Sequence, residues 1–157
     1  MNERFSGANA GSMFGEGVYF AEDGAKVDQY TGAGDRSTEA LPLRHLLYPV
    51  GGGPTSVGNG VHYVFVCRVL LGCHVRTLDG NSSMEHGADL WATKKRRELA
   101  CIPRSDVKYH SLLAELSRDL PGGGFQGRLK RFREIVVFHG ETRVYPEYLL
   151  AYSRERV

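Results

Sequence analysis

From His62 to Leu71 the chain places Tyr63, Phe65, Cys67, Val69 and Leu71 on one face of an extended strand, and Val64, Val66 and Leu70 beside Arg68 on the other. A strand that is apolar on both faces belongs inside a sheet with cover above and below. The chain is therefore expected to organise around strands, with His62–Leu71 central and buried.

Two further segments read as strand. Val18-Tyr19-Phe20-Ala21 is a short apolar run that reads as a buried strand. Glu22-Asp23 follows and can cap a helix over Gly24 to Tyr30 that ends near Gly32, with Lys26 and Tyr30 four apart on one face. Near the other end, Glu134 to Phe138 and Val144 to Tyr152 flank His139-Gly140-Glu141-Thr142-Arg143, which reads as a hairpin with a five-residue loop. Pro146 fits an edge position of its second arm.

The stretches 32–61 and 76–132 carry Gly51-Gly52-Gly53-Pro54 and Pro121-Gly122-Gly123-Gly124 and read as loops or insertions. Ala88–Leu99 and Leu112–Leu120 are expected to be short helices. Long strands, short helices and glycine loops predict an α+β domain with a mainly antiparallel sheet. At 157 residues, a single domain over 1–157 is expected. The 20 glycines, above the usual share of about 7%, point to many turns or to backbone lying close against a ligand.

Other function classes lose ground on composition. No apolar run approaches the roughly 18 residues that span a bilayer, so no membrane partner is expected. Three cysteines with no CxxC pair argue against a disulfide framework and for an intracellular, nuclear or cytoplasmic, setting. A net charge of +2 gives no indication of direct nucleic-acid binding. Lys94-Lys95-Arg96-Arg97 and Arg128 to Arg133 are basic runs that could form an address or a phosphate patch, although a solvated face explains them as well. Cys67, Cys73 and His74 lack the short spacing of a structural zinc site, and no metal is assigned.

Gly15-Glu16-Gly17 precedes a strand and has Phe20 where a dinucleotide fingerprint needs a small residue, so it is not that fingerprint. Glu134 shares a strand face with Val136 and Phe138. It is either solvated at the strand end or aimed into a cleft where its charge is used.

Three ordered motifs are similar to the catalytic domain of the poly(ADP-ribose) polymerase family, most of all its tankyrase-like members. The first is Asn2-Glu3-Arg4, then Gly11-Ser12-Met13-Phe14-Gly15-Glu16-Gly17-Val18-Tyr19-Phe20-Ala21-Glu22, then Lys26 and Asp28-Gln29-Tyr30. The second is Val64 to Gly72, and the third joins Glu134-Ile135-Val136-Val137-Phe138 to Tyr145-Pro146-Glu147-Tyr148-Leu149. The resemblance implies an ADP-ribosyltransferase type of sheet. It also implies NAD as co-substrate, release of nicotinamide, and transfer of ADP-ribose to a protein acceptor.

By position, the resemblance makes Glu134 and Tyr19 the glutamate and tyrosine of the family's histidine, tyrosine, glutamate triad. It has Tyr30 stack on the nicotinamide ring, with Gly17, Phe20, Ala21 and Lys26 lining that side and Arg4 in the donor loop. A glutamate at this place goes with polymer formation in many members, so Glu134 leans toward polymer. The family's early His-Gly motif has no counterpart here, which implies an N-terminally incomplete sheet. Val27 stands where the family has a serine that contacts the nicotinamide amide. Two readings remain open: an NAD-dependent transferase, or an inactive remnant that binds NAD or a partner protein.

Overall fold

The structure, a computed structural model, describes residues 13–31 and 61–154. The elements in chain order are β1 (Val18–Phe20), α1 (Gly24–Asp28), β2 (Val61–Val69), β3 (His74–Thr77), β4 (Ser111–Ala114), β5 (Arg118–Asp119), β6 (Phe125–Gln126), β7 (Glu134–Val137), α2 (Gly140–Arg143) and β8 (Val144–Ser153). This is the α+β, strand-dominated and antiparallel-rich architecture that the sequence implies. Two compact units share the described residues: 13–26 with 68–145, and 27–31 with 61–67 and 146–154.

The first unit is built on a four-stranded sheet in the order β1-β7-β4-β3. β7 is antiparallel to both β1 and β4, while β3 and β4 run parallel. The registers Val75↔Leu112, Leu112↔Val136 and Tyr19↔Val136 align one face across all four strands. On that face Val75, Leu112, Ala114 and Val136 are buried, and Phe14, Leu90, Leu99 and Phe138 close over them to form the core. The turn before β1 is held tightly: Gly15 has φ +93°, and a Cβ there would lie 2.4 Å from the Trp91 ring. Only glycine meets both demands.

The stretch 76–132, expected as loop or insertion, instead carries β4, β5 and β6 and supplies Leu90, Leu99, Leu112 and Ala114 to the core. The helices expected over Ala88–Leu99 and Leu112–Leu120 do not form. The first is an irregular extended meander with bridges Ser82↔Asp89 and Trp91↔Leu99, and the second holds β4 and β5. Apolar residues at helical spacing here serve as separate plugs from extended chain, because β7 offers β4 a complete hydrogen-bonded edge. The stretch 32–60, the body of the other expected loop, lies outside the described residues.

The bend from β3 into this meander is organised by Asp79. Its carboxylate accepts hydrogen bonds from the Asn81 and Ser82 amides and from the Thr77 and Ser82 hydroxyls. Partial burial pushes the Asp79 carboxyl up, but these donors outweigh it and hold the group below the usual carboxylate range. Asp79→Ala is expected to destabilise the fold by about 1–2 kcal/mol near pH 7 in urea unfolding. A native carboxyl held below its unfolded value stabilises above that value and loses this contribution as the pH falls. The gap between variant and wild type should therefore shrink below about pH 4.

Two expected pairings are corrected. Glu134–Phe138 and Val144–Tyr152 do not form a hairpin, since β7 has both edges occupied by β1 and β4 and β8 pairs with β2 instead. His139 takes a left-handed φ of 62° and α2 makes a single turn, which turns the chain away from β7. Among the described residues β2 is neither central nor buried: its strand partner there is β8 in a two-stranded sheet, and Phe65 and Leu70 just beyond its end are 57% and 63% exposed. Alternation shows which side chains favour burial, but the number of neighbours is set by the rest of the chain.

The Val18–Phe20 strand forms as expected but is half-buried, with one neighbour in the described sheet. Asp23 caps the following helix through its Oδ1, which accepts from the Ala25 amide at 2.8 Å. That helix stops at Asp28 rather than near Gly32.

Candidate functional site

Glu134 opens β7 opposite Ala114, on the same sheet face as Val136. Only 8% of it is exposed, an uncommon place for a carboxylate. Its partner is Lys26 of α1, whose Nζ lies 2.7 Å from Oε1. The cap at Asp23 starts α1 at Gly24 and so sets which way Lys26 projects. The lysine side chain is 17% exposed, so this pair is screened far less than a surface ion pair. A carboxylate accepts up to about four hydrogen bonds, so one ammonium does not saturate Glu134.

Beside this pair, Arg133 binds Glu22 and reaches Glu115 at 3.5 Å. The structure thus brings together Lys26 and Glu134, from the first and third sequence motifs.

Tyr19 lies opposite Val136 and hence on the Glu134 face, with its ring packed against the core. Its hydroxyl donates to the Gly15 carbonyl at 2.8 Å and accepts from the Phe14 amide at 3.0 Å. Tyr19 therefore braces the turn that precedes its own strand. Phe20 pairs with Ile135 and falls on the opposite face. Ala21 follows, half-buried. At Gly17 the close backbone approach is to β7, where an added Cβ would meet Val136 at 2.6 Å. Arg4 lies outside the described residues. Tyr30, in the second unit, is 74% exposed on the turn that follows α1.

The basic run at 94–97 has an internal use. Arg96 lies over the Trp91 ring and donates to the Met13 carbonyl, while Arg97 pairs with Glu16, so both fasten the turn before β1. Within Arg128 to Arg133, Arg133 pairs with Glu22 and Glu115. A groove of about 530 Å³ is lined by Asn81, Asp89, Trp91, Lys94 and Arg96, away from Glu134. Among the described residues, no cluster of three or more His, Cys, Asp or Glu is placed to hold a metal, and no helix is long and apolar enough to cross a membrane.

Sequence reasoning missed the polar residues that fasten the Tyr30 turn: Asp28, Thr31, His62, Tyr152 and Arg154. Thr31 and Arg154 carry no periodic or motif signal of their own, and His62 and Tyr152 enter only as the ends of expected strands. Asp28 lies inside the first motif, yet its partners are at the far end of the chain, where spacing is silent. No protein-family model matches this sequence.

Proposed function

We propose that this chain transfers ADP-ribose from NAD to a protein acceptor, with Glu134 as the carboxylate that stabilises the reacting ribose. An ADP-ribosyltransferase type of sheet belongs to the same proposal. The observation that carries it is the Lys26–Glu134 pair: two residues that the family resemblance assigns to one site lie 2.7 Å apart, largely shielded from water.

In this reading the bond from the ribose C1 to the nicotinamide nitrogen breaks, and its electron pair goes to the ring, which leaves neutral. Positive charge grows on the ribose, as in glycoside hydrolysis, and Glu134 offsets it. Glu134 also accepts from a ribose hydroxyl, a charge-assisted bond of about 1.5–3 kcal/mol. Lys26 holds that carboxylate in place and lowers its net charge, so the ribose hydroxyl competes with the ammonium for the same oxygens. The family resemblance, by position alone, assigns the stacking ring to Tyr30. The acceptor nucleophile attacks C1 and gives up its proton to solvent.

A second reading is favoured by Tyr19 and Val27. The Tyr19 hydroxyl is bonded to backbone on both its donor and acceptor sides, and Val27 offers no side-chain hydrogen bond. Both fit a module that binds NAD or a partner without turnover. Intact mass of the whole chain after incubation with NAD separates the two. A mass gain in wild type that is absent from Glu134→Gln supports the transferase. NAD binding with no mass gain and no released nicotinamide supports the module.

A further inference from the structure

The turn that carries Tyr30 is fastened by side chains from the last strand. Tyr30 and Thr31 donate their amides to the Val27 and Asp28 carbonyls, which continues α1 by a turn. The Asp28 carboxylate takes the Tyr152 hydroxyl and the Arg154 Nε, the latter at 2.9 Å. Arg154 Nη2 donates to the Asp28 carbonyl at 2.7 Å and to the Thr31 carbonyl at 3.3 Å. The Thr31 hydroxyl meets Tyr152 at 2.9 Å and His62 Nδ1 at 3.1 Å, and the buried His62 ring lies 5.4 Å from that of Tyr152.

Polar groups on both sides of Tyr30 in the chain, Asp28 and Thr31, are thus tied to Tyr152 near the end of β8 and to Arg154 just after it. Arg154 is itself 47% exposed, and a surface arginine adds little to global stability. Its guanidinium nevertheless spends its donors on one short turn, and it satisfies carbonyls that the end of α1 would leave open. A fork of donors holds a backbone in one geometry in a way a single point charge does not. Consistent with this, the Tyr152 hydroxyl and then Arg154 hold the Asp28 carboxyl below its ordinary value.

We infer that Arg154, with Asp28 and Tyr152, is a positioning group that preorganises Tyr30 as the platform for a flat nicotinamide ring. This rests on the NAD reading above. Without the clamp the turn samples other conformations, and the apparent affinity falls by the fraction of time the platform is formed. If that fraction drops to about one tenth, the dissociation constant rises about tenfold.

The test is titration of the full chain with nicotinamide, alongside steady-state kinetics with NAD. Arg154→Ala is expected to raise the nicotinamide Kd and the NAD KM about tenfold, with the effect falling on KM rather than kcat. Tyr152→Phe, which removes one hydroxyl and is the milder change, should move both in the same direction by less. Adding Arg154→Ala to Tyr30→Ala should weaken binding no further than Tyr30→Ala alone, because the clamp acts through that ring. Wild-type binding that both clamp variants leave unchanged, or an additive double variant, would overturn the clamp and leave the NAD reading standing. A wild-type chain that binds neither nicotinamide nor NAD would overturn both, and that result is read before any variant is made.

Discussion

If the proposed transfer is this chain's activity, Glu134→Gln should lower it by about 100-fold or more, the usual cost of removing one group aimed at developing transition-state charge. Glutamine keeps the shape of the side chain and one acceptor oxygen but no charge. It can still receive a ribose hydroxyl, so NAD binding should weaken far less than turnover. The measurement is kcat and KM for nicotinamide release from NAD, with the label on the acceptor followed in parallel. A fall confined to kcat fits a carboxylate that acts on the transition state. Turnover unchanged within a factor of about two would remove Glu134 from the mechanism. Folding is a small concern for this variant. The lysine left behind is long, and its ammonium can swing toward water while its stem stays packed.

Lys26→Met should cost more in stability than Glu134→Gln, about 3–5 kcal/mol in urea unfolding. It leaves the Glu134 carboxylate, 8% exposed on a short strand, without its counter-charge. Glu134 lacks the length to reach solvent from the β7 backbone, whereas Lys26 has it. The double variant Lys26→Met/Glu134→Gln should recover most of the loss, since a neutral amide replaces the unpaired buried charge. A single variant within about 0.5 kcal/mol of wild type would show that the pair behaves as a solvated surface contact.

Local pattern made several elements legible. Apolar runs marked β1, β2, β7 and most of β8, and Glu22-Asp23 marked the start of α1, because strand alternation and an Asx cap are properties of a few neighbouring residues. The region from Arg76 to Phe132 was not legible. Its core residues Leu90 and Leu99 stand singly in irregular chain, and its bends depend on Trp91 and Arg96 reaching across sequence. Of the candidate site, Glu134, Lys26 and Tyr30 could be named from the motifs. Arg154 and Tyr152 could not, since nothing near them in the sequence refers to Asp28.

The sequence by itself determined that the chain is strand-rich, where β1 and β7 begin and where β2 begins to within one residue, and that Glu134 shares a face with Val136, because side chains alternate with period two whatever the strand's neighbours are. The tertiary structure alone decided the pairings. β7 takes β1 and β4 on its two edges, so β8 goes to β2 and the expected hairpin is lost. It also decided what Glu134 and Tyr19 touch: Lys26 for one, the backbone at Phe14 and Gly15 for the other. A strand has only two hydrogen-bonding edges and a carboxylate only a small first shell. Which of many compatible groups fills them is a competition settled across the whole chain.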